Sequence, residues 1–266
     1  MKLFYREWGR GEPLLILHGL YGCSDNWMTI AQKLAERFYV FAVDLRNHGN
    51  SPHADSHTYT DMSLDLEELF LLLQIDSAHI IGHSMGGKVA MAFAADFPER
   101  IRSLTVVDIA PKNYLLYPNG TSQYEKHKQI LDTFACIDLS NFSSRVEVEE
   151  VMKSRINDTF LALYLLKNLK RLPAGFSWKI NVPVLQNYLL SIVSDVNADF
   201  FESRLPIFNY PVLFVKGALS EYISSADEFD IKRIYPEVRF CSINGATHYL
   251  HAEKPDDFIA AFLDFI

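Results

Sequence analysis

Cysteine is scarce in this chain. Cys23, Cys136 and Cys241 are odd in number, far apart and without a C-x-x-C pair, which points to a reduced, cytoplasmic setting. Basic blocks are absent too, since Lys167 to Arg171 is too short to count. With a net charge of -8 and a pI near 5.6, this argues against a nucleic-acid-binding surface. No apolar run reaches the length of a membrane span. Met1 to Glu7 carries charges where a signal peptide needs an apolar segment, so the chain reads as a mature cytoplasmic protein from its first residue. Repeats and low-complexity tracts are missing as well.

What is present is ordinary for a globular protein: 266 residues, 49% hydrophobic and 22% charged, enough for one domain carrying an insertion. Leu3 to Trp8, Leu14 to Leu17, Tyr39 to Val43, Ala78 to Ile81 and Ile101 to Val107 read as strands. Helical spacing over Asn26 to Phe38, Met62 to Leu73 (capped by Thr60 or Asp61) and Met85 to Ala94 falls between them. Such alternation predicts an α/β fold with a mostly parallel sheet flanked by helices. From Lys112 to Pro206 it stops. Gln123 to Phe134, Val146 to Arg155, Asp158 to Leu169 and Val184 to Asp195 read as helices without a strong buried strand, and turns are marked at Pro173 to Phe176 and at Pro183. Val212 to Val215, Ser225 to Tyr235, Val238 to Ile243 and Pro255 to Ile266 restore it. The expected organisation is a core of residues 1–111 and 207–266 with a helical cap over 112–206.

Chemistry concentrates at the C-terminal ends of the strands, where ligands bind in such sheets. Gly82-His83-Ser84-Met85-Gly86 stands between strand and helix, the pattern of a nucleophile elbow with Ser84 at its tip. A serine hydroxyl needs a base. His248, on the loop after the last strand, is the best of nine histidines. The acid has two candidates. Asp108 ends the strand after the elbow strand, whereas Glu221 lies one position past the place where such a loop usually carries its carboxylate. Ser220 occupies that place, so Asp108 is preferred, with Ser220 as a supporting hydrogen-bond partner and Glu221 as the alternative. Backbone amides of Leu20 and Met85 are the expected oxyanion donors, ahead of Tyr21. His18 reads as a brace for that loop, and Asp44 and Arg46 as fixtures of the next one, with Asp44 a lower-ranked site residue.

Two other patterns fail. Gly82 to Lys88 also matches the start of a phosphate-binding loop, but Val89 stands where that loop needs a hydroxyl for magnesium. His248, His251 and Glu253 lack the order of a zinc motif. No cofactor and no metal is expected.

The residues His18-Gly19-Leu20-Tyr21-Gly22, Asp44 to Ser51 and Gly82 to Lys88 resemble the α/β-hydrolase superfamily across almost the whole chain, and the YbfF-type esterases in particular. The asparagine of Arg46-Asn47-His48-Gly49 and the lysine of Gly86-Gly87-Lys88 carry the sharper likeness. This resemblance implies an α/β-hydrolase fold and a carboxylesterase or thioesterase acting on small or short-to-medium acyl chains through an acyl-serine. It also supports an acid at Asp108 and a serine at Ser220. The expected partner is a small-molecule ester or thioester. The alternatives are a C–C bond hydrolase or lyase on the same scaffold, or a non-catalytic hydrolase-like receptor.

Overall fold

A computed structural model describes residues 1–115 and 123–266; the stretch 116–122, inside the expected insertion, lies outside the described residues. The strands in chain order are β1 (Tyr5–Gly9), β2 (Glu12–Leu17), β3 (Phe38–Val43), β4 (Ala78–His83), β5 (Ile101–Val107), β6 (Leu169–Leu172), β7 (Gly175–Trp178), β8 (Val212–Gly217) and β9 (Arg239–Ile243). Among the described residues seven of them form one sheet in the order β1-β3-β2-β4-β5-β8-β9. Only its edge strand β1 is antiparallel to its neighbour; the remaining pairs are parallel.

Because the inner strands are covered on both faces, they are largely apolar, and their apolar residues alternate between two cores. Leu15, Leu17, Ile80 and Val106 face the side of α2 (Tyr59–Leu73) and α3 (Met85–Asp96), with Phe70 and Phe93 among their companions. Leu14, Ile16, Ile81 and Val107 face the other side, with Trp27, Phe258 and Phe262. Those last two side chains belong to the C-terminal helix, Pro255–Phe265. Truncating Phe93 or Phe262, both fully buried, would cost about 3–5 kcal/mol.

Several elements differ from the expectation. The stretch expected as one helix from Asn26 divides into a 3-10 turn over Ser24–Trp27 and α1 (Met28–Leu34). The α2 helix starts earlier than expected, because the Thr58 hydroxyl, rather than the side chain of Thr60 or Asp61, accepts the Asp61 amide and caps it. In the insertion, α4 (Gln123–Cys136), α5 (Arg145–Arg155), α6 (Thr159–Leu165), α7 (Val182–Ser194) and α8 (Ala198–Phe201) appear. The helix expected to reach Leu169 ends early, and β6 and β7 pair around Pro173-Ala174 as a small antiparallel hairpin. Its strands are too short and too exposed to leave an apolar signature. Pro183 marks no break: it sits in the first turn of α7, where its missing N–H costs nothing. The chain closes with α9 (Ser225–Ile234), α10 (Leu250–Glu253) and α11 (Pro255–Phe265). Among the described residues no helix is long and apolar enough to cross a membrane.

Candidate active site

Ser84 follows the last residue of β4 and adopts φ 52°, ψ -122°, a conformation that a non-glycine residue rarely takes. Its strain is held from both sides. The Ser84 N–H donates to Val107 O at 3.0 Å, and its carbonyl accepts from Gly87 at 2.8 Å and Lys88 at 3.1 Å, starting α3. The turn is tight enough that a Cβ on Gly82 would lie 2.3 Å from Gly86 O, and one on Gly86 2.4 Å from His18 O. Gly82 in the strand and Gly86 in the helix each cost roughly 1 kcal/mol relative to alanine, but only glycine permits this approach of helix, strand and loop.

His248 is built into the opposite side of the site. Its Nδ1 lies 2.8 Å from Asp108 Oδ2, and its ring stacks on Tyr222 with centroids 3.8 Å apart. Its carbonyl accepts from His83 Nε2 at 2.9 Å, which joins the residue before Ser84 directly to the His248 loop. Donation to a carbonyl fixes the His83 proton on Nε2, and burial lowers this ring's pKa, keeping it neutral. The Nδ1–H of His248 directed at a carboxylate likewise leaves its Nε2 lone pair free. Among the described residues Ser84 Oγ has no hydrogen bond to His248.

Asp108 is fully buried and continues β5 by one bond, its N–H donating to Val215 O at 2.8 Å. Its Oδ1 accepts from the Gly217 amide at 3.0 Å, and its Oδ2 accepts from Ser220 Oγ as well as from His248. Three donors thus occupy most of the carboxylate's roughly four lone-pair sites. Glu221, the other acid considered, is exposed. Of the two acids, Asp108 is the one at His248.

The loop after β2 supplies the facing amides. A Cβ on Gly19 would sit 3.0 Å from Ser84 Cβ, so this loop runs against the serine. Tyr21 N–H is committed to His48 Nε2 at 3.3 Å, which removes it as an oxyanion donor. Leu20 and Met85 line one narrow cavity with Ser84. Met85 opens α3, so its N–H has no carbonyl within the helix to bond.

Beneath the loop lies a polar layer that the sequence reading only partly foresees. His18 donates from Nδ1 to Gly19 O at 2.8 Å and accepts the Leu45 amide on Nε2 at 3.0 Å, which makes it a brace. His48 donates to Arg46 O, and His57 bridges Asn47 Nδ2 and Met85 Sδ. Burial lowers the pKa of His18 to about 4 and of His48 to about 3, so both remain neutral. Asp44 is not aimed at the serine; its carboxylate accepts the Ser24 and Asn50 amides at 2.6 and 2.8 Å. Arg46 pairs bidentately with buried Asp65 at 2.6 and 2.9 Å. The insertion is tied to these loops: Asn168 Nδ2 donates to Tyr21 O at 2.7 Å and the Asn181 amide to Asn47 O at 3.0 Å. The roles of His57, Asn168 and Asn181 leave no local pattern in the sequence, because each partner is far along the chain.

A metal reading gains nothing from the geometry. His251 stacks on Trp27 at 4.3 Å with neither ring nitrogen partnered among the described residues, while Glu253 accepts from Thr247. Among the described residues no group of three or more His, Cys, Asp or Glu could hold a metal ion.

The chain is similar to known proteins over almost its whole length. A model of the alpha/beta hydrolase fold family matches residues 12–255. The chain belongs to that family. It is 34% identical over 262 residues to the sn-1-specific diacylglycerol lipase of Danio rerio, covering 97% of this chain and 80% of that one. It is 33% identical over 255 residues to the esterase YbfF of Escherichia coli, covering 96% and 93%. A solved structure of a marine microorganism esterase superposes with a TM-score of 0.93 at 42% identity, covering 100% of this chain and 99% of that one.

Proposed function

We propose that the chain hydrolyses carboxylic esters, and thioesters of similar size, through an acyl-enzyme on Ser84. Ser84 Oγ attacks the carbonyl carbon while its proton passes to His248 Nε2. Asp108 holds the His248 Nδ1–H and stabilises the imidazolium, with Ser220 and Gly217 fixing the carboxylate. Leu20 and Met85 amides receive the carbonyl oxygen as it becomes negative. The imidazolium proton leaves with the alcohol or thiol; water then repeats the sequence on the acyl-serine and releases the acid. The observation that carries this reading is the His248–Asp108 contact in a loop bonded, through His83, to the elbow.

Residues 1–111 and 207–266 act as the catalytic core in this proposal, and 112–206 as the cap. Ile109, Ile192 and Val193 line the cavity beside Ser84, which suits a small or short-to-medium acyl group. The similar diacylglycerol lipase and esterases support a small-molecule ester as substrate. Free thiols at Cys23, Cys136 and Cys241 support a reducing, cytoplasmic setting. A series of p-nitrophenyl esters from acetate to palmitate, with acyl-thioesters alongside, tests the reading. Turnover is expected at short to medium lengths with decline beyond them. Absence of turnover on every ester and thioester would refute it.

A further inference from the structure

Lys88 lies one helical turn beyond Ser84 in α3, in a stretch otherwise made of small and apolar residues, and is 1% exposed. Among the described residues its Nζ donates to backbone carbonyls alone: Lys112 O at 2.9 Å, Asp195 O at 2.5 Å and, more weakly, Val193 O at 3.5 Å. Lys112 stands where the chain leaves the sheet for the insertion, whereas Val193 and Asp195 lie at the C-terminal end of α7, deep within that insertion. The Tyr114 amide closes the same junction by donating to Val193 O at 3.1 Å. The rings of Tyr114 and Tyr59 flank the ammonium at 5.2 and 6.0 Å. Lys88, Tyr59, Tyr114, Ile192 and Val193 all line the cavity that holds Ser84.

Packing alone does not account for a lysine here. A methionine would fill the same volume without desolvating a charge, and burial without a paired carboxylate opposes the charged form. That opposition lowers the Lys88 pKa to about 7, with Asp195 raising it and Lys112 lowering it. What a lysine supplies and a methionine does not is a set of donors reaching two distant chain segments at once.

We propose that Lys88 is a positioning residue that clasps the start of the insertion and the end of α7 to the nucleophile helix and thereby sets the width of the acyl cavity. The proposal rests on the serine-hydrolase reading for its kinetic consequence, though not for its structural one. Releasing the clasp frees the end of α7 and widens the cavity wall at Ile192 and Val193, so short acyl groups are held less well and longer ones are admitted.

The test compares wild type with Lys88→Met and Lys88→Gln by hydrogen exchange, by chain-length kinetics and by fluorophosphonate labelling. Lys88→Met is expected to speed amide exchange over residues 189–198 by about tenfold while α3 stays protected. It is also expected to raise KM for the butyrate ester by about tenfold with a smaller change in kcat, and to shift preference toward longer chains. Lys88→Gln keeps a neutral donor on a shorter arm and covers the case in which the methionine variant does not fold; its exchange is expected between wild type and a released clasp. Wild-type exchange together with wild-type chain-length preference in a folded variant overturns the proposal. If wild type itself fails to label with fluorophosphonate, the hydrolase reading fails, while exchange still reports on the clasp.

Discussion

His248 Nδ1 and Asp108 Oδ2 meet at 2.8 Å although 140 residues separate them, and β8 lies between the strands that deliver them. The carboxylate reaches across because Asp108 sits at φ 52°, where the chain turns sharply after β5. Its other donors, Gly217 N–H and Ser220 Oγ, come from the end of β8 and the loop that follows. Replacing Asp108 by Asn puts an amide where His248 needs an acceptor and favours the wrong tautomer. We expect kcat to fall by about 10³–10⁴ in Asp108→Asn. Glu221→Gln, at an exposed position, is expected to keep activity within about threefold. Steady-state kinetics on a short ester, with circular dichroism to confirm equal folding, makes the comparison; the reverse ranking would move the acid to Glu221.

Gly19 sets the distance between the oxyanion loop and the elbow. An added Cβ would fall 2.9 Å from His83 Nδ1 and 3.0 Å from Ser84 Cβ, so the loop must retreat by a few tenths of an ångström. Gly19→Ala is expected to lower kcat by about 10- to 100-fold, since donors aimed at a developing charge tolerate little displacement. The change in melting temperature should stay within a few degrees, because Gly19 lies outside the left-handed region that favours glycine. Kinetics and thermal denaturation of the one variant separate the two effects.

Buried neutral histidines tie stability to pH. His251 has its pKa lowered to about 3, chiefly by burial, and His18 and His127 theirs to about 4. The unfolded chain takes up these protons below about pH 6.5, while the native chain does not until the lower values are reached. Stability is therefore full above pH 6.5 and falls as pH drops toward 4, by about 1.4 kcal/mol per pH unit for each such histidine. His251, stacked on Trp27 with both ring nitrogens unpartnered among the described residues, is the one to replace. His251→Phe is expected to flatten the slope of unfolding free energy against pH by one proton between about pH 6.5 and 4. Urea titrations at a series of pH values measure it, and an unchanged slope would show that His251 titrates normally.

Much of the scaffold was legible because parallel strands buried on both faces are runs of apolar residues, and Ile80-Ile81 stopping at Gly82 marks the elbow without help. The strand-end positions of Ser84, Asp108 and His248 follow from the same alternation. Choosing between Asp108 and Glu221 is harder, since both follow strands and only the folded register shows which one reaches His248. The β6–β7 hairpin left only its turn at Pro173 to Phe176 in the sequence, because its strands are four residues each and exposed or half-buried. The ties from Asn168, Asn181 and His57 are contacts between segments distant in sequence, for which no local spacing exists. Lys88 is the intermediate case. A lysine inside an apolar helix is visible in the sequence, but its carbonyl partners are not.

The central claim is that Ser84 carries the acyl group. Intact-protein and peptide mass spectrometry after reaction with a fluorophosphonate tests it most directly. A single adduct on Ser84, abolished together with ester turnover in Ser84→Ala, is the predicted result. An adduct on another residue, or turnover that survives in Ser84→Ala, would contradict the account.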